Sequence, residues 1–363
     1  MHKDRSETDR ILRIVWIVLF LAFCLVPSLG MTVAGETKPS ANEILASGPR
    51  LVMKDGKWNT DFLNDVSDYL ADRFAFRKPL VNAWAELNAK LFRSSVEEQV
   101  VLGGDGWLYY ASTLDDYMGR SMSDEDLELA ASYLAALQQE AESRGVRFYF
   151  TIAPNKNSLY GERMPSFIPE NHAASNAERL KPCLERYGVN YIDLFEVFAG
   201  EGDCLYYRTD SHWTDHGAAL AADTILAAMG KDAPYFSGSF CAGEPHRGDL
   251  YEMLYPTGTD QESSELYAPG FSYTLSGDPN KGNAMKIRSE CPEKSGRLLC
   301  WRDSFGISLY PYLADSFENA LFLRSASYDL GEIEKSGADT VLIELVERNL
   351  GQLAAAGRKG AEP

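Results

Sequence analysis

The 363-residue chain has few histidines, few cysteines and a shortage of basic side chains. Its six Cys include no Cys-x-x-Cys pair, which disfavours a zinc ribbon or finger. Lys and Arg number 35 against 53 Asp and Glu, so the formal net charge is −18. A chain this acidic is repelled by phosphate backbones, which argues against nucleic-acid binding. Apolar residues still make up 45% of the sequence, enough for a globular core.

Long apolar runs are also missing, except for one near the N-terminus. Residues 11–34 contain a single charged side chain, and about 20 apolar residues span a bilayer as a helix. The run therefore predicts one N-terminal transmembrane helix over 11–34. By the positive-inside rule, residues 1–10 are expected to form a cytoplasmic tail, with the rest of the chain outside the cytoplasm. The basic residues that support this orientation are Lys3, Arg5, Arg10 and Arg13.

A cleaved signal peptide is the alternative interpretation of this run, because small residues around Gly30 and Ala34 suit a signal peptidase. Both interpretations place the bulk of the chain outside the cytoplasm. The anchored form would be a single-pass protein of the cell membrane. Disulfides are permitted there, and Cys241–Cys291 is one candidate pair; reduced, buried thiols are the alternative.

The hydrophobic pattern divides the remaining sequence into a helical segment, an α/β domain and a short tail. Residues 35–98 are expected to form a linker and membrane-proximal helices, with two helices broken near residues 76–79, because the residue before Pro79 resists the helical conformation. Over 99–350, strands alternate with helices, which predicts an α/β domain with a mostly parallel sheet. Residues 235–297 interrupt the alternation and are rich in Gly, Ser and Pro, so we expect an irregular insertion. Residues 351–363 are expected to be a tail.

Polar residues of the types used in catalysis occur at three places: after two predicted strands and before one predicted helix. Asn155 and Lys156 follow the apolar run 146–152, Asp210 and His212 precede a helix, and Ser304 follows Leu298–Trp301. In an open α/β sheet, ligands bind at the carboxyl ends of the strands. These side chains are therefore expected to meet at one edge of the sheet.

Their chemical types fit a serine enzyme. Ser304 at a strand-to-helix turn would be the nucleophile, and its own backbone N–H would form part of an oxyanion hole. His212 would be the base, and Asp210, two residues earlier on an extended segment, would face the same side and support it. Asn155 would stabilise the oxyanion and Lys156 would orient substrate.

Structural roles remain open for each residue. Ser304 could be a helix N-cap, Asp210 a cap beside a hydrogen-bonded loop His212, and Asn155 and Lys156 parts of a turn. His212 and His216 lie four residues apart, yet no His-Glu-x-x-His pattern supports a metal site. The glycine-rich turn 103–106 lacks the pattern of a phosphate-binding loop. The sequence therefore predicts no metal and no cofactor.

The chain resembles the AlgX/AlgJ-type SGNH hydrolase-like proteins and the related extracytoplasmic DHHW proteins. Six stretches carry the resemblance in the family's order: DYLADRFAFRKPLV (68–81), VLGGDGWLYY (101–110), IAPNKNSLYGERMP (152–165), YRTDSHWTDHGA (207–218), RGDLYEML (247–254) and CWRDSFG (300–306). Two positions depart from related patterns. Ser211 stands where the Gram-positive group usually has His, and Arg302 stands where ordinary SGNH enzymes have Gly.

The resemblance implies a three-layer SGNH fold in which Asp210 and His212 belong to an Asp-x-His-Trp motif and Ser304 is the nucleophile. It implies an O-acetyltransferase that moves acetyl from a donor to an exported cell-envelope or secreted glycan, with a membrane-bound O-acyltransferase as an expected partner. Two alternatives use the same residues differently: a carbohydrate esterase or deacetylase, and a non-catalytic polysaccharide-assembly subunit that binds through residues 235–297.

Overall fold

The structure is a computed structural model that describes residues 2–34, 45–120, 122–170, 173–232, 234–276 and 285–361. It forms two compact units, one of Met1–Val96 with Glu252–Gly258 and one of Glu97–Tyr251 with Thr259–Pro363. The helices are α1 (His2–Ala34), α2 (Phe62–Arg73), α3 (Arg77–Phe92), α4 (Leu114–Tyr117), α5 (Asp124–Ser143), α6 (Lys156–Leu159), α7 (Asn176–Tyr187), α8 (Phe195–Ala199), α9 (Asp215–Ala228), α10 (Asp249–Leu254), α11 (Gly306–Ala314), α12 (Gly331–Ser336) and α13 (Gly351–Ala361).

The first unit contains α1, α2 and α3. The run predicted as an anchor over 11–34 is part of α1. Across the residues that the structure describes, no helix combines the length and the apolar character that a membrane crossing requires, so the transmembrane prediction has no support from the structure. The break between the two helices lies at Phe76, whose φ is 68°, within the predicted stretch 76–79. Pro79 is tolerated in the first turn of α3 because an N–H there has no intrahelical partner.

The second unit is built on a seven-stranded sheet of order β4-β3-β11-β9-β10-β8-β7. Two small antiparallel pairs, β1 with β2 and β5 with β6, accompany it. The strands are β1 (Val100–Leu102), β2 (Leu108–Tyr110), β3 (Arg147–Ala153), β4 (Tyr191–Ile192), β5 (Phe240–Ala242), β6 (Glu265–Tyr267), β7 (Thr274–Ser276), β8 (Lys286–Glu290), β9 (Arg297–Trp301), β10 (Asn319–Leu323) and β11 (Thr340–Val346).

The sheet is mixed, and most of its strands are parallel, as predicted. Strands β4, β3, β11, β9 and β10 are parallel, whereas β8 and β7 add at one edge as antiparallel strands. Both antiparallel strands come from residues 235–297, which we had expected to be irregular. In β8 only Ile287 and Ser289 are buried, in the period-two pattern of a strand with one solvated face.

Helices cover both faces of the sheet, so the predicted three-layer α/β architecture is confirmed. One face buries a cluster that includes Trp213, Phe305 and Tyr312 against α9 and α11. The other buries Leu134, Phe148 and related side chains against α5, α7 and α13. Most of the predicted tail is part of this second layer, because α13 runs to Ala361 and buries Leu353 and Ala354.

The described cysteines are free thiols, so the candidate pair Cys241–Cys291 is not formed. Cys291 is buried, whereas Cys241 is exposed. The alternative of reduced, buried thiols holds for Cys183, Cys291 and Cys300, whereas Cys204 and Cys241 are reduced but exposed.

Candidate active site

Asp210 and His212 lie on a tight turn that precedes α9. Tyr206 and Trp213 form an antiparallel bridge across the base of the turn. Oδ1 of Asp210 accepts hydrogen bonds from the backbone N–H of His212 at 2.9 Å and from Nδ1 of His212 at 2.7 Å. The expected proximity is therefore present, but it arises from a turn closed by the aspartate side chain and not from an extended segment.

The charge state of Asp210 fixes which nitrogen of His212 is available. Burial by itself raises the pKa of Asp210, but hydrogen bonds from His212 and His246 outweigh burial and hold the pKa well below its usual range. An ionised carboxylate at Nδ1 requires that nitrogen to carry the proton, which leaves the lone pair on Nε2. Nε2 of His212 is buried and forms no hydrogen bond within the described residues, as a free base would.

A second imidazole, which the sequence analysis did not single out, contacts the same carboxylate. Nε2 of His246 lies 2.9 Å from Oδ2 of Asp210, and the backbone N–H of Asp249 donates to that oxygen at 2.9 Å. Burial lowers the pKa of His246, but the hydrogen bond and the negative charge of Asp210 raise it further, so the net direction is upward. The stretch RGDLYEML directly follows His246 and was the available signal.

Ser304 lies in the turn between β9 and α11, and neighbouring contacts fix that turn. The carboxylate of Asp303 accepts from the backbone N–H of Phe305 at 2.9 Å and from that of Val346 at 2.7 Å. These bonds join the carboxyl ends of β9 and β11. Ser304 is half-buried and lines an open pocket of about 290 Å³, so its hydroxyl is accessible to a small molecule.

Phe305 connects Ser304 to the turn that carries His212. Its ring centroid is 4.9 Å from that of His212, and its carbonyl oxygen accepts from Nε1 of Trp213 at 3.2 Å. Within the described residues, no hydrogen bond joins Ser304 to His212. The structure thus brings the two residues to the same region through the residue next to Ser304, while their direct pairing stays a prediction.

Lys156 and Asn155 are buried and hold other parts of the site. Nζ of Lys156 donates to three backbone carbonyls of the His212 turn, those of Tyr207, Arg208 and Asp210, at 3.1, 3.1 and 2.5 Å. Burial lowers the pKa of Lys156 to about 8. Oδ1 of Asn155 accepts from the backbone N–H of Arg348 at 3.3 Å. These contacts give both residues positioning roles, and the oxyanion role of Asn155 stays a prediction.

Among the described residues, one group of possible metal ligands comes together: Asp210, His212 and Asp249, with ligand atoms within 4.8 Å of one another. Their oxygens already accept hydrogen bonds from the chain. Ser211 donates its N–H and its hydroxyl to the Asp249 carboxylate at 2.7 and 2.6 Å. The arrangement is typical of a hydrogen-bonded acid–base cluster.

Gly248 gives a direct test of how the His246 segment seats on the turn. A Cβ added there would overlap the backbone carbonyl of Thr209, which cannot move without displacing Asp210. We expect Gly248→Ala to lower ester turnover about tenfold or more and to reduce the free energy of unfolding by about 1–3 kcal/mol. Turnover of p-nitrophenyl acetate and urea denaturation measure the two effects. Gly202→Ala is the control because an added Cβ there meets open space; equal behaviour of the two variants would contradict this packing argument.

Glu347 makes stability depend on pH. Its carboxylate is fully buried and accepts from Asn155 N–H at 2.9 Å and Ser158 Oγ at 2.6 Å. Burial raises its pKa from 4.5 to about 7. The folded state therefore binds this proton more tightly than the unfolded state, and that stabilisation is lost as the pH rises from about 4.5 to 7.

We expect the free energy of unfolding of the unmodified protein, relative to Glu347→Gln, to fall by about 2–3 kcal/mol between about pH 5 and 8. Urea denaturation at several pH values measures this difference. Exposed Glu185→Gln on α7 is the control and should track the unmodified protein. A difference that is flat with pH, or that rises, would contradict the assignment.

Comparison with known proteins shows which proteins this chain is similar to. Residues 100–268 match the family described as SGNH hydrolase-like domain, acetyltransferase AlgX. Over 253 residues the chain is 27% identical to a probable alginate O-acetylase AlgJ of Pseudomonas syringae pv. tomato, covering 68% of this chain and 61% of that protein. The chain thus spans about three fifths of the length of such curated relatives. Asp210, His212 and His246 lie inside the family match, and Ser304 lies beyond it.

Solved structures show the same fold at low sequence identity. The chain is similar to Bacillus cereus PatB1, with a TM-score of 0.55, 19% identity and coverage of 69% of this chain and 96% of that one. It is also similar to a DHHW family protein from Eubacterium siraeum, with a TM-score of 0.53, 20% identity and coverage of 72% and 98%. The resemblance to AlgX/AlgJ-type and DHHW proteins is therefore confirmed.

Proposed function

We propose that this chain, which carries an SGNH hydrolase-like domain of the AlgX type, is a serine O-acetyltransferase that acetylates a hydroxyl group of an exported polysaccharide. One observation carries the proposal: His212 holds its Nδ1 against Asp210, its buried Nε2 forms no hydrogen bond with the described residues, and its ring packs on Phe305, the residue after Ser304. The curated relatives named alginate O-acetylase support the acetyl group and the polysaccharide acceptor.

In the first half-reaction, Ser304 Oγ attacks the carbonyl carbon of an acetyl donor while Nε2 of His212 takes the hydroxyl proton. The carboxylate of Asp210 stabilises the imidazolium that forms. The backbone N–H of Ser304 forms no hydrogen bond within the described residues, so it is available to the oxyanion. Nε2 then returns the proton to the departing group, and the acetyl group remains as an ester on Ser304.

In the second half-reaction, a sugar hydroxyl approaches the acetyl ester on Ser304 and loses its proton to His212 Nε2 as its oxygen attacks the acetyl carbon. The bond from that carbon to Ser304 Oγ breaks, and the serine oxygen recovers a proton from the imidazolium. Charge and atoms balance without a metal or a redox partner. The acetyl donor, and a membrane-bound O-acyltransferase that supplies acetyl groups, belong to this proposal as expected partners.

A carbohydrate esterase is the second candidate, and the open pocket at Ser304 favours it because water reaches the same acyl-enzyme. The two functions separate when p-nitrophenyl acetate is supplied with and without oligosaccharides and both free acetate and acetylated sugar are quantified. If the protein is a transferase, adding an oligosaccharide should produce acetylated sugar and lower the amount of free acetate. Free acetate equal to released nitrophenol with every acceptor would establish the esterase instead, and no turnover would favour the non-catalytic subunit.

We propose further that the second unit works outside the cytoplasm, where exported polysaccharides are modified. The basic residues before the apolar run of α1 support this orientation. An alkaline phosphatase fused to the C-terminus should be active in cells if the proposal holds. An inactive alkaline phosphatase fusion, together with a C-terminal fusion to a reporter that works only in the cytoplasm and is active, would contradict the proposal.

A further inference from the structure

The Asp210 carboxylate is shared between two imidazoles from different segments of the chain. Oδ1 lies 2.7 Å from Nδ1 of His212, and Oδ2 lies 2.9 Å from Nε2 of His246. The carboxylate is 5% exposed, so its oxygens depend on these donors and on backbone N–H groups. The proposed mechanism uses His212 alone, which leaves His246 without an assigned role.

Two contacts fix the orientation of the His246 ring. The ring stacks on Tyr207, with centroids 4.0 Å apart and planes inclined by 22°. Its backbone pairs with Glu262, donating N–H at 2.8 Å and accepting at 2.7 Å. The ring is therefore held against the turn before any substrate arrives. About 31% of the side chain remains exposed, so it exchanges protons with solvent.

We propose that His246 is a positioning residue for the acyl-transfer reaction, which holds Oδ2 of Asp210 so that Oδ1 stays directed at His212. The inference rests on the proposed function. The hydrogen bond survives in both charge states of His246, because a neutral imidazole keeps its proton on Nε2. What changes is the charge: an imidazolium shares the negative charge of Asp210 and weakens its support of a protonated His212.

The proton of His246 therefore influences the basicity of His212 across Asp210. The charged and titratable groups that face His246 come from several elements: Tyr207 and Asp210 on the turn, Asp215 at the start of α9, Asp249 on its own segment, and Glu262 on the paired segment. Four of these five groups are carboxylates and favour the imidazolium. Uptake of the proton at low pH should make His212 a weaker base.

Three variants separate a positioning role from mere packing. His246→Phe keeps a flat ring on Tyr207 but removes the donor and the charge, and His246→Gln keeps a donor without a titrating charge. His216→Gln is the matched control, because His216 is also half-buried and stacked, on Phe236 at 4.4 Å, and forms no hydrogen bond to Asp210 within the described residues. The rate of Ser304 labelling by a fluorophosphonate probe, measured from about pH 5 to 9, is the functional measurement.

We expect His246→Phe to slow labelling about ten- to a hundredfold. His246→Gln should lose less, and it should remove one ionisation from the pH–rate profile. His216→Gln should retain both the rate and the profile. A larger loss in the Gln variant than in the Phe variant, with an unchanged profile, would show a packing role only, and unchanged labelling in both would overturn the proposal.

A spectroscopic measurement keeps the test independent of acetyl transfer. The proton on Nδ1 of His212, shared with Asp210, gives a downfield NMR resonance whose position reports the strength of that hydrogen bond. We expect His246→Phe to shift this resonance and His216→Gln to leave it in place. If the protein transfers no acetyl group but the resonance shifts, the proposed function fails and the positioning role stands. An unshifted resonance in His246→Phe overturns the positioning role.

Discussion

Ser304→Ala is expected to abolish both covalent labelling by a fluorophosphonate probe and acetyl transfer to any acceptor. The alcohol is the group that carries the acetyl ester between the two half-reactions, so no other side chain replaces it. Residual turnover should fall at least about a thousandfold, because removal of a nucleophile disables the unit formed with its base. Gel-based labelling and nitrophenol release measure the two losses.

The matched control for this variant is Ser308→Ala, four residues along in α11. Ser308 forms no side-chain hydrogen bond within the described residues, so its hydroxyl is dispensable for the fold. Both variants should unfold at the temperature of the unmodified protein. Labelling that persists in Ser304→Ala would remove the residue from the nucleophile role and leave the serine unidentified.

Asp210→Asn is expected to have the second large effect, a loss of about a thousandfold or more in turnover. An amide at this position cannot carry the charge that stabilises a protonated His212. Its NH₂ group also favours the tautomer with the proton on Nε2, which removes the lone pair that the reaction needs. The loss should appear in the maximal rate at saturating p-nitrophenyl acetate.

Asp249→Asn is the control for that substitution, since Asp249 lies in the same cluster but bonds mainly to Ser211. Its direct contact with His212, between Oδ2 and Nδ1, is longer at 3.5 Å. We expect a loss at least tenfold smaller than that of Asp210→Asn. Equal losses in the two variants would mean that the summed negative charge of the cluster, and not the Asp210 contact, supports His212.

The chemistry at the sheet edge was predictable where residue type and local spacing agree. Asp210 and His212 are two residues apart, and any compact turn brings them together. Ser304 follows an apolar strand, which places it at the carboxyl edge of a parallel sheet. Spacing alone does not predict the turn geometry. The Asp210 side chain accepts the N–H of His212 and closes a turn, whereas the same spacing also fits the extended segment that we expected.

Contacts between distant segments could not be predicted from local pattern. His246 reaches Asp210 only because Gly248 allows its segment to approach the Thr209 carbonyl. Lys156 looked like a substrate contact because lysine is usually exposed, yet three carbonyls of one turn compensate its burial. Both cases depend on which backbone groups face each other after folding, and a single sequence does not encode that locally.

The edge of the sheet and the last helix were missed for a different reason. Short strands such as β7 and β8 have one solvated face, so every second residue is polar and no apolar run marks the strand in the sequence. α13 is rich in Ala and Gly and buries only a narrow face against α5. Such elements are stabilised by tertiary packing more than by propensity, and composition alone suggests a loop or a tail.

Mapping the acetyl group on the enzyme tests the central claim most directly. The unmodified protein is mixed with p-nitrophenyl acetate, quenched in acid within the first turnover and digested, and the acetylated peptide is identified by mass spectrometry. The account predicts acetyl on Ser304, with its accumulation strongly reduced in His212→Ala. Acetyl that appears on another residue, or that reaches Ser304 equally fast without His212, would contradict it.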